Sequence, residues 1–224
     1  MSARKAIFAR LKRTLDEVHN PTVRISGADQ RIREANANII PARGQTEGPA
    51  RAAMFVSEAE AADAEVMRLA ALADVPRFVH DILIQAGASQ IKAAPHPQLQ
   101  DLDWTGVGIH YGRGENSDHI GLSVALAGVA ETGTLVLASG PQSPTTLNFL
   151  PDVHVVVLEE ENIAANYEAV WATLRAQKTE GPVMPRTVNW ITGPSRTADI
   201  EQTLLLGAHG PRKLIILLID GKNP

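Results

Sequence analysis

Short apolar runs alternate with helical patterns along most of the chain. Residues 153–158 and 214–220 are almost continuously apolar, which is typical of strands that helices cover on both faces. Between them, apolar residues from Ile163 to Leu174 recur at the spacing of one helix face. Further strands are predicted over 91–94, 106–110, 120–124, 135–138 and 188–192. This order predicts an α/β fold with a mostly parallel central sheet and helices on both faces.

The N-terminal part has a different pattern. Ile7, Leu11, Leu15 and Val18 recur at helical spacing, so an amphipathic helix is predicted over 3–19. A second, short helix is predicted over 31–40. Residues 41–49 contain two prolines and two glycines, a composition that favours an extended connection.

Two more helices are predicted where the compact domain begins. A capping box opens an Ala-rich helical pattern over 57–74, and Pro76 opens another that ends at Gly87. We therefore place a boundary near Phe55. Residues 1–54 would form a helical extension and linker, and residues 55–224 the α/β domain.

Composition and charge exclude several classes of protein. The chain has no cysteine, so it can form no disulfide and hold no iron–sulfur cluster through its own thiolates. It has no apolar run of about 20 residues, and charges occur throughout 1–13, so we expect a cytoplasmic protein with no membrane span and no signal peptide.

Charge is distributed unevenly along the chain. Residues 1–51 contain 10 basic and 5 acidic residues, a net +5, whereas the remainder has 11 basic and 20 acidic residues, a net −9. A basic segment of this kind favours docking on an acidic partner, or is simply a solvated helix face. No nucleic-acid recognition motif accompanies the basic residues, so nucleic-acid binding is not predicted.

One stretch with potential chemistry follows the predicted strand 188–192. Gly-Pro interrupts the strand, and a helical pattern then extends to Gly207, which predicts a strand, a tight turn and a helix N-terminus. Unpaired N–H groups and the helix dipole favour an anion there, and the Arg196 guanidinium suits a carboxylate or phosphate. Alternatively, Ser195 or Thr197 simply caps the helix.

A second stretch, Glu131-Thr132-Gly133-Thr134, leads directly into a predicted strand. It predicts a hairpin-like turn in which Gly133 adopts a positive φ and the threonine hydroxyls face one side. Such a turn can bind an anion, and Glu131 could act as a general base or hold a ligand hydroxyl. The alternative is an ordinary hairpin with a solvated glutamate.

Four separated motifs together resemble the LutC/YkgG lactate-utilisation family, the LUD-domain proteins, over roughly residues 57–224. They are residues 130–134, 151–155, 193–201 and 207–211. The resemblance implies a fold like that of the NagB, ribose-5-phosphate isomerase and CoA-transferase group. It also implies a role in oxidising L-lactate to pyruvate alongside two partner proteins that carry iron–sulfur clusters. The lack of cysteine fits a chain that has no cofactor of its own.

Under this resemblance, both turns would line one pocket for a small anionic metabolite. Glu131 is the candidate catalytic residue. The candidate ligand-binding residues are Thr132, Gly133, Thr134, Gly193, Ser195, Arg196, Thr197 and Asp199. The chain departs from the family pattern at 146–152, where relatives commonly have a Gly-Arg-Leu lead into Leu-Pro-Pro. If that arginine binds ligand in relatives, this protein lacks the contact or uses another cation.

Several alternatives stay open at this point. The chain could be a stand-alone sugar-phosphate isomerase or CoA-transferase-type enzyme with Glu131 as base or nucleophile, or a non-catalytic scaffold whose basic N-terminal part tethers iron–sulfur partners. Whether it is itself an enzyme is left open. No metal site is predicted, because the histidines lack metal-ligand spacing. His154 is predicted to be a satisfied core residue and His209 a turn residue.

Overall fold

The computed structural model describes residues 3–18, 21–34, 36–176, 184–198 and 204–221. The chain forms two compact units, Met1–Ile39 and Ile40–Pro224. The division between them precedes the boundary that the sequence predicted near Phe55. Phe55 itself is fully buried within a helix of the second unit.

The first unit consists of two helices, α1 (Ala3–Val18) and α2 (Pro21–Glu34). The amphipathic helix predicted over 3–19 is confirmed. The helix predicted over 31–40 is wrong in its bounds, since α2 begins at Pro21 and residues 36–40 are not helical. Proline is well tolerated in the first turn of a helix, where its missing N–H would have no partner.

The helices of the second unit are α3 (Pro49–Ala61), α4 (Val75–Ala86), α5 (Pro97–Gln100) and α6 (Tyr167–Ala176). The strands are β1 (Glu65–Leu69), β2 (Gln90–Ala93), β3 (Gly108–Tyr111), β4 (Ile120–Val124), β5 (Ala127–Val129), β6 (Thr134–Ala138), β7 (Val153–Glu159), β8 (Ile163–Ala164), β9 (Val188–Ile191), β10 (Arg196–Ala198), β11 (Leu204–Leu206) and β12 (Lys213–Ile219). All described helices are too short or too polar to cross a bilayer.

The central sheet has six parallel strands in the order β1-β12-β7-β4-β2-β3. Alternate residues of β7 and β12 face opposite sides and contribute to two separate hydrophobic clusters. Val79 and Ile82 of α4 pack in one cluster, and Phe55 and Ala59 of α3 pack in the other. The predicted α/β fold with helices on both faces of a parallel sheet is therefore confirmed.

The helix predicted over 57–74 is wrong. Helix α3 begins eight residues earlier than predicted and ends at Ala61, where Asp63 adopts a left-handed φ of 62°. Residues Glu65–Leu69 then form strand β1, which pairs in parallel with β12. Pairing with a buried central strand outweighs the intrinsic helix preference of this Ala- and Glu-rich segment.

A second sheet has four strands in the order β8-β5-β6-β9. Strands β5 and β6 form an antiparallel hairpin, and β6 also pairs antiparallel with β9. Helix α6 packs on this sheet through Val170 and Leu174. The strands predicted over 135–138 and 188–192 thus exist, but in this smaller sheet.

The helix predicted after Gly193 is wrong in the described part of that segment. Arg196–Ala198 and Leu204–Leu206 form β10 and β11, an antiparallel pair in which Arg196 lies opposite Leu206. These residues are extended rather than helical, so no helix dipole is available to an anion here. Asp199 lies outside the described residues.

Candidate functional site

The predicted hairpin turn at Glu131 is confirmed. A short 3₁₀ turn, Ala130–Thr132, leads to Gly133, which has a φ of 62° and a ψ of 31°. A Cβ atom at Gly133 would overlap the amide nitrogen of Ala59 and lie 2.5 Å from the carbonyl carbon of Glu58. Glycine is therefore required because the C-terminal end of α3 lies against this turn.

The threonine hydroxyls of the hairpin turn bond to one another and to neighbouring hydroxyls. Thr134 Oγ1 lies 2.7 Å from Thr132 Oγ1, 3.0 Å from the Tyr167 hydroxyl and 2.6 Å from Thr192 Oγ1. Thr132 Oγ1 is also 2.9 Å from the Tyr167 hydroxyl. This hydroxyl cluster joins the hairpin turn to the segment that follows β9.

Glu131 is buried beneath the turn at residues 42–45. Its side chain and backbone are together only 6% exposed, and Oε2 has no hydrogen-bond partner among the described residues. A Cβ atom at Gly44 would lie 2.6 Å from Oε2. Asn166 fixes this covering turn, since its Nδ2 donates to the Gly44 carbonyl at 2.7 Å and its Oδ1 accepts from the Ala169 amide at 2.9 Å, capping α6.

The second predicted turn, at Gly193, also packs against the end of α3. Gly193 has a φ of 69°, and a Cβ atom there would overlap the carbonyl oxygen of Ala62. The Arg196 guanidinium donates to that carbonyl and forms an ion pair with Asp63 at 2.8 Å. Arg196 thus neutralises the negative end of α3.

The Gly193 turn forms one wall of a cavity of about 580 Å³, which we call the Ser195 cavity. Three predicted ligand-binding residues, Gly193, Ser195 and Arg196, line it. The other lining residues include Asn148, Phe149, His154, Trp190, Thr192, His209, Gly210 and Pro211. Its size falls within the usual range for small-molecule sites.

The structure brings the two predicted turns to the same end of the second sheet. Leu135 of β6 lies opposite Ile191 of β9, and Thr134 bonds to Thr192. Among the described residues that line the Ser195 cavity, however, none belongs to the 131–134 turn. Thr197 belongs to β10 and is likewise not among the described lining residues.

Two buried polar side chains that the sequence did not predict as site residues, Asn148 and His154, line the Ser195 cavity. Asn148 is 2% exposed and His154 is 0% exposed. Nε2 of His154 lies 3.1 Å from the Ser123 hydroxyl. Nδ1 of His154 and Oδ1 of Asn148 have no partner in the described part of the chain. Leaving such a group unpaired costs about 1–3 kcal/mol, so the pair marks a place where a polar ligand would be stabilised.

Burial also fixes the charge of His154. Desolvation lowers its pKa from 6.5 to about 3, so the imidazole is neutral at neutral pH. The prediction that His154 is a core residue is confirmed, but the prediction that it is satisfied is wrong, because Nδ1 has no partner among the described residues. A lone histidine inside an otherwise apolar strand was the available signal for this site. No group of three or more His, Cys, Asp or Glu residues suited to a metal occurs in the described ranges.

Comparison with known proteins identifies the family. A family model for the LUD domain matches residues 52–219. An uncharacterised protein of Neisseria meningitidis serogroup B is 43% identical over 99 residues, which cover 44% of this chain and 41% of that protein. Lactate utilization protein C of Geobacillus thermodenitrificans is 33% identical over 104 residues, 46% of this chain and 43% of the relative. Lactate utilization protein C of Bacillus pumilus is 37% identical over 92 residues, 41% of this chain and 38% of the relative.

These alignments span less than half the length of the curated relatives. A crystal structure of a DUF162 family protein from Deinococcus radiodurans is similar with a TM-score of 0.54 and 19% identity, covering 79% of this chain and all of that one. That similarity shows a shared fold. The family match extends over most of the sequence and confirms the resemblance drawn from the four motifs. The chain therefore belongs to the LutC/LUD-domain family.

Proposed function

We propose that this chain is a lactate utilization protein C-like subunit that binds a small anionic metabolite in the Ser195 cavity. In this role it supports the oxidation of L-lactate to pyruvate together with iron–sulfur partner proteins. The observation that carries the proposal is the cavity itself, which combines the predicted Gly193–Arg196 turn with the unpaired polar atoms of Asn148 and His154. The names of several relatives support the lactate-utilisation role.

Ser195 is suited to contact the ligand at the rim of the cavity. Its amide donates to the Pro211 carbonyl at 2.9 Å, and its carbonyl accepts from the Gly207 amide at 2.9 Å. The backbone is thereby fixed, which leaves the hydroxyl as the group that a carboxylate can engage. His209 lines the same cavity and adds a second polar group near the rim.

The burial of Glu131 favours the subunit role over the alternative of a sugar-phosphate isomerase or CoA-transferase-type enzyme. A base or nucleophile must approach the reacting atom within hydrogen-bonding distance. Glu131 lies under Gly44 instead, and it is not among the described residues that line the Ser195 cavity. With no cysteine in the chain, thiolate-bound iron–sulfur clusters would have to be carried by partners.

Tryptophan fluorescence offers a direct test of ligand binding. Trp190 lines the cavity and lies 5.1 Å, centroid to centroid, from both Trp171 and Tyr167. L-lactate, pyruvate and inorganic phosphate should be titrated against the full chain, with thermal unfolding measured in parallel. A ligand at 100 times its dissociation constant should stabilise the fold by about 2.7 kcal/mol, a shift in Tm of roughly 5–11 °C.

Two serine variants provide the control for that titration. Ser195→Ala should weaken the affinity for whichever anion binds the wild type by about tenfold. That is the loss of affinity expected when one hydrogen bond to a charged group is removed. Ser117→Ala, at an exposed position outside the Ser195 cavity, should bind as the wild type does. If none of the three anions changes fluorescence or Tm, the proposed ligand site is wrong.

Helix α1 supplies a surface suited to the partner proteins. Ile7, Phe8, Leu11 and Leu15 lie on one face and are 59, 60, 52 and 56% exposed. Residues 3–18 carry five basic and two acidic residues, so the helix has a net charge of +3. An amphipathic helix of this kind fits a hydrophobic groove with an acidic rim. We expect that groove on an iron–sulfur partner.

Co-purification with co-expressed iron–sulfur partners tests this docking surface. Leu11→Ser should reduce recovery of the partners, because it removes an apolar anchor from the face. Ile32→Ser is the matched control, since Ile32 is also exposed, at 77%, but lies on α2. Equal recovery with both variants would remove α1 as the docking element and would leave the ligand site unaffected.

A further inference from the structure

The Ser195 cavity is larger than a three-carbon acid requires. Such an acid has about six non-hydrogen atoms and occupies at most about 180 Å³, if each atom takes the ~30 Å³ of one water molecule in the liquid. The cavity measures about 580 Å³, roughly three times that volume. Part of its lining is apolar and comes from Phe149, Ile191, Pro194, Pro211 and Leu214. A ligand with an apolar portion would fill this space better than a three-carbon acid.

Phe149 lies close to the Ser195 hydroxyl at the rim of the cavity. It is 42% exposed, the highest fraction among the described large apolar residues of the lining. A Cβ atom at Gly210 would lie 3.6 Å from Ser195 Oγ and 3.9 Å from Phe149 Cδ1, so these two atoms are at most about 7.5 Å apart. Because Gly210 has no side chain, the space between the hydroxyl and the ring stays open. One ligand can therefore contact both groups.

We propose that the ligand of the Ser195 cavity is a carboxylic acid with an apolar tail, and that the tail packs on the Phe149 ring. The inference rests on the proposed function, which places the carboxylate at the Ser195 hydroxyl. Phe149 then determines specificity, because it selects acids by the length of the tail and does not hold the carboxylate. Removal of the tail and of the exposed part of the ring from water supplies the affinity.

The state of Arg196 makes this apolar contact important. Its guanidinium is already paired with Asp63 at 2.8 Å and donates to the Ala62 carbonyl. The carboxylate of a ligand therefore gains little from that charge and depends on neutral donors such as the Ser195 hydroxyl. Since a neutral anchor contributes modest affinity, discrimination between acids comes from the apolar tail.

The test compares three acids that differ only in the number of methylene groups. Propionate, pentanoate and heptanoate should be titrated against the wild-type full chain by tryptophan fluorescence, with thermal unfolding in parallel. Each fully buried methylene raises the affinity about fourfold, so we expect each acid to bind at least about fivefold more tightly than the next shorter one. Similar affinities for all three would overturn the apolar tail and leave the carboxylate site standing. No binding by any of them would overturn both proposals.

Two adjacent substitutions test the role of Phe149. Phe149→Ala should weaken heptanoate about tenfold and leave the affinity for propionate unchanged, because only the longer tail reaches the ring. Leu150→Ala is the matched control, since Leu150 is 40% exposed and is not among the described residues that line the cavity. Equal dependence on tail length in the two variants would contradict the role of Phe149. The wild-type series needs no substitution, so it decides the class of acid even if Phe149→Ala fails to fold.

Discussion

Comparing Gly133→Ala with Gly87→Ala separates the cost of backbone strain from the cost of a packing collision. Gly133 has φ 62° and ψ 31°, and Gly87, at the C-terminal end of α4, has φ 63° and ψ 24°. A Cβ atom at Gly87 meets no described atom within 4 Å, whereas one at Gly133 would lie 2.6 Å from Ala59 Cα and closer still to its amide nitrogen. The two positions share the backbone conformation and differ in what surrounds them.

The expected magnitudes follow from that difference. Alanine in the left-handed region costs about 1–2 kcal/mol, and the reduced entropy of the unfolded chain returns roughly 0.4–1 kcal/mol. Gly87→Ala should therefore lower the free energy of unfolding by about 0–1.6 kcal/mol. Gly133→Ala should lose a further ~1–3 kcal/mol, because the atoms it meets belong to the backbone of α3 and cannot rotate away.

Urea unfolding followed by far-UV circular dichroism measures both values. The expected result is a midpoint for Gly133→Ala well below that of Gly87→Ala, with unchanged m-values. Equal losses in the two variants would refute the close packing of the hairpin turn against α3. Contact with the ligand would then remain the candidate reason for a glycine at position 133.

Three further variants test other contacts. Burial lowers the pKa of His154 to about 3, so the unfolded state binds a proton that the folded state does not as the pH falls from 6.5 towards 3. The wild type should therefore lose up to ~1.4 kcal/mol of stability per pH unit in that range. His154→Gln should flatten this dependence in urea titrations at pH 7, 6 and 5. Asn166→Ala removes the cap of α6 and the bond to the Gly44 carbonyl, so it should cost about 2 kcal/mol and speed proteolysis near residue 44. Arg68→Ala breaks exposed ion pairs with both Asp220 and Glu160 and should cost about 1 kcal/mol or less in chemical unfolding, with little difference from the wild type in 1 M salt.

The sequence predicted most of the central sheet because several of its strands have a clear hydrophobic pattern. Buried parallel strands such as β7 and β12 are continuous apolar runs, and these leave little ambiguity. Strand β1 was missed because an Ala- and Glu-rich segment favours a helix locally, and its pairing with β12 is set by tertiary structure. Short runs such as β6 were found, but sequence periodicity cannot say which sheet a short strand joins.

The candidate site was predicted in part. The turn at Gly193 was found, and Ser195 and Arg196 do line a cavity, although the helix invoked to explain their chemistry is a pair of strands. His154 was misjudged because a histidine in an apolar strand has the same local pattern whether or not its second nitrogen is paired. Its partner Ser123 is 31 residues away, so the orientation of the ring is fixed by a contact that local sequence does not encode.

The end of helix α3 organises the site and limits how it can bind an anion. Gly133 packs on Ala59, Gly193 packs on Ala62, and Arg196 is paired with Asp63 and the Ala62 carbonyl. The positive charge of Arg196 is thus already offset by the end of the helix. Neutral groups of the cavity, such as the Ser195 hydroxyl, would then make the remaining contacts with an acid. Because neutral hydrogen bonds are screened little by salt, binding of a small acid should depend only weakly on ionic strength, whereas a site dominated by a free arginine would weaken steeply.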